Sequence, residues 1–418
     1  MRAMWSGARL AACAPDGVSL PQLMPTRIAA GLLFALGVSA AFVLFGRGSS
    51  LLAPRVEASI AKWHDGHAAA ISVTYDSGSP ESAADRQVQD FVVANALHLD
   101  YEVVTANYLG SAQLLAYLQR ELLPRGFGFF GHGHQHVDHD ALSYDEALRS
   151  FRACRDAMLQ LGLEPVAYAY PYGAGHRPRT RRALADAGFL SGRMHDPGAS
   201  RDPFIVPDAS EAPRDWYKLP SLVMQDYRFA QCQRCVSGTR ELIPFLDGAL
   251  QKHAWLILTY HGIGDESQWG WYEMSDFTDD MRAIAQRDFW SASLDAITLY
   301  VRERSQATLR VTSKGTHGIV DRLNVQLSDA LPATVFHQPL TILLHVPPQW
   351  IGRTLAVRHR HATVGQLQAD AEEVRLSLVP DDHSYQLTPV GVHARPLEPP
   401  SNGAADAEGA RAPSASSA

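Results

Sequence analysis

The chain has 418 residues, 46% of them hydrophobic, and a formal net charge of −7. That length is enough for a full core and more than one domain, and the acidic balance excludes the basic field that nucleic-acid binding needs. Four cysteines exclude a disulfide-scaffold protein.

The N-terminal segment, residues 1–50, contains an uninterrupted apolar run at 28–45, flanked by Arg27 and Arg47. Eighteen such residues are just long enough to cross a bilayer as a helix, and slightly long for the core of a signal peptide. An uncleaved membrane anchor is favoured narrowly over a cleaved signal. Either reading places the remainder outside the cytoplasm, in the periplasm or at the cell surface. Cys13 falls in this segment.

From about residue 62 the pattern alternates between strands and helices. Residues 68–75 read as a fully buried strand ending at Asp76. Residues 81–97 have helical spacing, 99–106 are strand-like and 111–122 helical. Residues 126–130 form a short strand leading into a histidine cluster. A long helix follows at 143–162, with Ser143 and Glu146 spaced as a capping box and Cys154 as a small core residue. Residues 165–173 are a strand ending in a turn, and 177–189 a helix closed by Gly188. Another helix spans 239–253, a buried strand at 254–262 contains His261, and a last helix covers 290–306. Cys232 and Cys235 form a C-x-x-C pair, which outside the cytoplasm reads as a local disulfide rather than a redox or zinc centre.

Such alternation predicts an α/β domain with a parallel sheet over residues 51–306. Its unusual polar residues, Asp76, His132, Tyr172 and His261, all sit just after strand C-terminal ends, where parallel sheets and barrels gather their sites. After residue 306 the texture changes to short alternating runs separated by turn residues, which predicts an antiparallel β accessory module over 307–395. The tail, 396–418, is rich in Pro, Ala, Gly and Ser and predicted to be disordered.

Four segments carry chemistry. Residues 131–140 hold His132, His134, His136 and His139; on one helical turn or in a tight loop, His132 and His136 can face one point, and imidazole suits zinc and related metals. In V-T-Y-D-S-G (73–78), Asp76 ends an apolar strand, where a carboxylate can act as a general base or simply cap a turn. In Y-A-Y-P-Y-G (168–173), Pro171 and Gly173 shape a turn whose Tyr172 N–H could meet a developing oxyanion. In L-T-Y-H-G (258–262), His261 is placed to protonate a departing amine. Trp269 and Trp271, in a Gly-rich loop after His261, could stack on sugar rings or pack as loop anchors. Glu102 reads as a buried, paired carboxylate, and residues 64–67 (His-Asp-Gly-His) as a surface turn on the opposite edge from the site.

In this order and spacing, the four segments resemble the polysaccharide deacetylase family, the NodB homology domain of carbohydrate esterase family 4. The likeness covers roughly residues 62–305: Thr74-Tyr75-Asp76-Ser77-Gly78 for T-F-D-D-G, His132-Gly133-His134-Gln135-His136 for H-S/T-x-x-H, Ala169-Tyr170-Pro171-Tyr172-Gly173 for R-x-P-Y-G, and Leu258-Thr259-Tyr260-His261 for L-x-x-H. The resemblance implies a distorted (β/α) barrel that binds Zn2+ or a similar divalent metal. His132 and His136 would be metal ligands, Asp76 the base, the Tyr172 amide the oxyanion donor and His261 the acid. Pro171, Trp269 and Trp271 would face the substrate. The chain departs from the pattern at Ser77, where the family has a metal-binding aspartate, at Ala169, where it has the arginine that orients the base, and at Gly133. The third ligand is then open among Asp76, Ser77, His134, His139 and water. Asp215-Trp216 is the only candidate for the D-x-W motif.

Two functions follow. One is a metal-dependent hydrolase that removes N-acetyl groups from an amino-sugar glycan of the cell envelope. The other is a degenerate deacetylase fold that binds glycan without hydrolysing it. An acetylated glycan is the expected partner in both, with the membrane engaged through the N-terminal segment; nothing in the sequence points to a protein partner.

Overall fold

The computed structural model describes residues 56–194, 202–207, 212–229, 235–316, 318–381 and 383–391. The apolar run at 28–45, Cys13, Cys232 and the tail at 396–418 lie outside the described residues. Among the described residues, no helix is long and apolar enough to cross a membrane.

In chain order the strands and helices of the first part are β1 (Ala58–Ile60), β2 (Ala69–Asp76), α1 (Ala83–Ala94), β3 (Asp100–Val103), α2 (Thr105–Gly110), α3 (Ala112–Tyr117), β4 (Gly128–Gly131), α4 (Tyr144–Gln160), β5 (Ala167–Ala169), α5 (Pro178–Asp186), β6 (Ser191–Arg193), β7 (Leu222–Met224), α6 (Thr239–Lys252), β8 (Trp255–His261), α7 (Met274–Ala285), β9 (Phe289–Ser291) and α8 (Leu294–Gln306). Strands β2 and β8 are mostly apolar and buried on both faces, as strands covered by helices must be. The long helix α4 starts at the Ser143–Glu146 capping box expected from the sequence. Just beyond α5, Gly188 adopts φ +96°, the left-handed conformation that ends a helix most cheaply in glycine.

The parallel strands form one sheet in the order β6-β5-β4-β3-β2-β8-β7, with β9 also pairing β2. Strand β2 shares one edge between two neighbours: Ala69–Ile71 pair with β9, and Thr74–Tyr75 pair with β3. The opposite ends of the sheet approach each other. Leu219 bridges Arg193 of β6 in parallel, and β7 begins three residues later. The result is a distorted, nearly closed barrel, which turns the C-terminal ends of β2, β3, β4, β5, β6 and β8 toward one mouth.

The second part consists of β10 (Thr308–Thr316), β11 (Ile319–Ser328), β12 (Leu340–His345), β13 (Arg353–His359), β14 (Ala362–Ala369), β15 (Glu373–Leu378) and β16 (Ser384–Pro389). They form two antiparallel sheets, β10-β11-β16-β13-β14 and β1-β12-β15. Leu323, Val325 and Leu327 of one sheet share a core with Leu340, Ile342 and Leu344 of the other, the pattern of a β-sandwich. The module is tied to the barrel. Strand β1, from the segment before the first barrel strand, pairs with β12, and Tyr300 on α8 donates its hydroxyl to Ala61 O at 2.9 Å. The 64–67 turn is also part of this seam, because the Asp65 N–H donates to Thr341 Oγ1 at 2.8 Å and Arg375 donates to its carbonyl. It is a surface turn with Asp65 exposed, and it also joins the module to the barrel.

Candidate functional site

The barrel mouth opens into a cleft of about 600 Å³ lined by Asp76, His132, His136, Tyr172, His261 and Trp269 among others. They come from the ends of four strands, β2, β4, β5 and β8, or the loops after them. Asp76 is the last residue of β2 and His261 the last of β8, and the two strands pair in register there. His132 follows β4 directly, its N–H donating to Val103 O of β3 at 2.9 Å. His136 lies further along the same tight loop, not on a helix.

One ligand atom from each of Asp76, His132 and His136 lies within 4.8 Å of the other two, a set that could hold a metal ion. Asp76 Oδ2 is 3.5 Å from His132 Nε2 and 3.7 Å from His261 Nε2. The His132 Nε2 is buried and makes no hydrogen bond, the condition of a lone pair awaiting a ligand. On the other side of the ring, Nδ1 lies 3.1 Å from Ala169 O and 3.1 Å from Glu102 Oε2. The Nδ1–H donating to Ala169 O leaves Nε2 as the free ligand atom. The His136 ring lies 4.8 Å from His132 and 4.5 Å edge-on from Tyr172.

Electrostatics suit a cation. Burial pushes His261 down to about 4 and lowers His132 as well, so both imidazoles are neutral near pH 7, the form that binds metals. Burial works to raise the Asp76 carboxyl, but the His132, His261 and His136 rings and Arg193 outweigh it and bring it below its usual range. Asp76 is thus ionised at neutral pH beside neutral imidazoles.

The turn after β5 also has the shape its sequence suggests. Tyr172 sits at φ 58°, ψ 15° with its side chain exposed at the cleft rim. Gly133, where the family has Ser or Thr, adopts φ +94°, and a Cβ there would stand 2.5 Å from the Gln135 carbonyl. Only glycine fits this loop path.

Several other candidate residues fall elsewhere. Ser77 donates its hydroxyl to Asp85 on α1, which also accepts from Tyr75 at 2.7 Å. A serine is short and uncharged, so it is drawn to the nearest buried carboxylate. His134 Nδ1 is 3.0 Å from Thr105 Oγ1, and neither it nor His139 joins the ligand set. His139 is buried, stacked on Phe151 at 4.2 Å, with Nε2 3.0 Å from Ser150. It is a core histidine. Trp271 is buried under the Arg228 guanidinium at 4.5 Å and is absent from the cleft lining, as is the buried Pro171. Trp269 is 48% exposed and packs edge-on against His261 at 4.7 Å. Asp215 pairs with Arg181 at 3.0 Å and Trp216 lies under Arg302 at 4.4 Å, both outside the cleft lining. Cys235 is disulfide-bonded.

A second His/Asp group, His359, Asp381 and His383, lies on the sandwich. There the Arg360 guanidinium is 3.6 Å from Asp381 and 3.2 Å from His383, a fixed positive charge that disfavours a cation. Arg193, which sequence reading missed, is in the first site. It ends the three-residue strand β6, too short to show any periodicity, and is buried at the cleft beside Glu102.

No protein-family model matches the chain, and no curated protein matches it. Among solved structures, a candidate polysaccharide deacetylase from Mycobacterium smegmatis is 16% identical, covering 58% of this chain and 93% of its own, with a TM-score of 0.42. A peptidoglycan deacetylase from Bacillus subtilis is 14% identical over 56% of this chain and 92% of its own, with a TM-score of 0.36. A family 4 pseudoenzyme from Bacillus anthracis is 8% identical over 55% of this chain and 66% of its own, with a TM-score of 0.35. At such scores no residue role is carried over from any of them. In its motif segments and in the curled parallel sheet that brings them together, the chain is similar to the polysaccharide deacetylases of carbohydrate esterase family 4.

Proposed function

We propose that the chain is a metal-dependent hydrolase that removes N-acetyl groups from an amino-sugar glycan of the cell envelope. The reading rests above all on the convergence of Asp76, His132, His136 and His261 from three separate segments in one cleft. His132 and His136 would hold a zinc or similar divalent ion, with Asp76 within reach of both. When bound, such an ion would polarise the acetyl carbonyl and lower the pKa of water.

The protein's own groups would handle the protons. Asp76 Oδ2 would accept a proton from the attacking water. His261 Nε2, 3.7 Å from that oxygen, would take the proton on and deliver it to the sugar nitrogen as the C–N bond breaks. Because His261 is neutral at pH 7, it would act as the acid only after receiving this proton. The Tyr172 N–H would meet the oxyanion, and Trp269 would offer its exposed face to a sugar ring. The apolar run at 28–45 supports an extracytoplasmic site anchored at the membrane.

One observation favours the second reading, a glycan binder without turnover. With Ser77 turned to Asp85, Asp76 is the only carboxylate in the ligand set, and a carboxylate fully engaged by the ion is a poor base. Acetate release from a panel of acetylated glycans separates the two. Wild type should release acetate, and Asp76→Asn and His132→Ala should not. A wild type indistinguishable from both variants across the panel would overturn the hydrolase reading.

A further inference from the structure

Beside the ligand set lies a buried ion pair that the proposed reaction does not use. Glu102 on β3 and Arg193 at the end of β6 are 4% and 1% exposed, and the Arg193 guanidinium is paired with Glu102 Oε1. Taking two charges out of water costs several kcal/mol per ion before their attraction is counted, and apolar side chains of similar size often serve stability as well. A pair in this place therefore calls for a role beyond holding the barrel together.

Its geometry supplies one. The second oxygen of Glu102, Oε2, is 3.1 Å from His132 Nδ1, on the side of the ring opposite the Nε2 that faces Asp76. Arg193 arrives from the strand next to β5, directly across from Ala169 in register. Ala169 is fully buried and carries no polar side chain, but its carbonyl accepts the His132 Nδ1–H at 3.1 Å.

We propose that Glu102 and Arg193 are positioning residues for the metal ligand His132. The Nδ1–H donates to Ala169 O, and the Glu102 carboxylate 3.1 Å from the same nitrogen favours that N–H, so Nε2 is presented as the ligand atom. Arg193 neutralises Glu102, so that a full carboxylate can be buried at that spot. A carboxylate or carbonyl behind a ligating histidine fixes its tautomer and orientation, and its loss typically costs 10–100-fold in metal affinity. The inference rests on the reading of His132 and His136 as metal ligands.

The test measures metal rather than turnover. The full chain is titrated with Zn2+ against a chromophoric chelator, and its Co2+ absorption spectrum is recorded. Glu102→Leu/Arg193→Met removes both charges together, leaving no orphan ion, and should bind Zn2+ about 10–100-fold more weakly with an altered Co2+ spectrum. Glu102→Asp keeps the charge that pairs Arg193 but withdraws the oxygen from His132, so it should weaken binding in the same direction even where the double variant does not fold. Glu102→Gln/Arg193→Met returns a polar oxygen to that side of the ring and should recover part of the loss. Wild-type affinity and spectrum in the Glu102→Asp and Leu/Met variants, beside a His132→Ala that does not bind, would overturn this proposal alone. A wild type that does not bind Zn2+, or a His132→Ala that binds it equally well, would overturn the reading of the site on which it rests.

Discussion

Asp76 and His261 are in-register partners at the C-terminal ends of adjacent parallel strands, with the His261 Nε2 3.7 Å from the Asp76 carboxylate. Parallel pairing alone brings them together, since the two residues are far apart in sequence but level across β2 and β8. The same carboxylate oxygen faces His132 on its other side. Asp76 therefore stands between a residue that belongs to the ligand set and one that does not.

That division predicts different consequences for the two histidines. His261→Ala should lower the rate of acetate release by about 10²–10⁴-fold, the usual contribution of a placed proton donor, while leaving Zn2+ affinity close to that of wild type. His136→Ala should lower both. A His261→Ala variant that loses metal as completely as His136→Ala would show that the histidine is a ligand and not the acid.

Ser77 predicts that introducing the second aspartate of the T-F-D-D-G motif will not supply a ligand. Its hydroxyl donates to Asp85, a carboxyl that burial raises above its usual range and that also accepts from Tyr75 and sits against the Ser82 cap. Ser77→Asp would press two carboxylates together in a half-buried site, where like charges oppose ionisation. The expected cost is about 1–3 kcal/mol in a denaturation experiment, with no gain in Zn2+ affinity. Ser77→Asp/Asp85→Asn should recover most of that stability. Tighter metal binding by the single variant, at unchanged stability, would contradict the role assigned to Ser77.

Trp269 and Trp271 were alike in sequence, two residues apart in one Gly-rich loop, and the structure separates them. Trp269 is 48% exposed at the cleft, whereas Trp271 is 8% exposed beneath Arg228. Trp269→Ala should raise KM for glycan several-fold and leave the melting temperature unchanged within error. Trp271→Ala should destabilise the fold by about 3–5 kcal/mol, as large-to-small changes in a core do. The reverse assignment of the two effects would mean that the loop adopts another path with substrate bound.

The same contrast shows what a sequence can carry. Long buried strands ending in polar residues were legible, because apolar runs of that kind have few other uses and the sheet edge they reach is where sites form; Asp76 and His261 came from this signal. The histidine cluster was legible as a group, but nothing in its spacing said that His139 would turn inward onto Phe151 while His136 stayed out. Arg193 was missed because β6 is three residues long and its pairing with β5 is a tertiary fact. Strand β1 was missed for a related reason: it is three residues long and its partner β12 is far along the chain.

Asp280 on α7 predicts a pH dependence of stability away from the cleft. The carboxyl is fully buried and accepts from Thr239 Oγ1 at 2.6 Å, Tyr260 OH at 3.0 Å and Tyr272 OH at 2.8 Å. Burial pushes it up to about 6, the three hydroxyl donors offsetting only part of that effect. The folded state therefore binds this proton more tightly than the unfolded chain, whose aspartates titrate near about 4. Its contribution to stability is complete below about pH 4 and is lost as pH rises through about 6, a difference of about 3 kcal/mol at roughly 1.4 kcal/mol per pH unit. Urea denaturation of wild type and Asp280→Asn at several pH values isolates this group from the other titrating residues. The stability of wild type relative to Asp280→Asn should fall between about pH 4 and pH 6.5 and then level off. A difference between the two proteins that stays constant across that window would mean that Asp280 is ionised in the fold throughout, held by its three hydroxyl donors despite its burial.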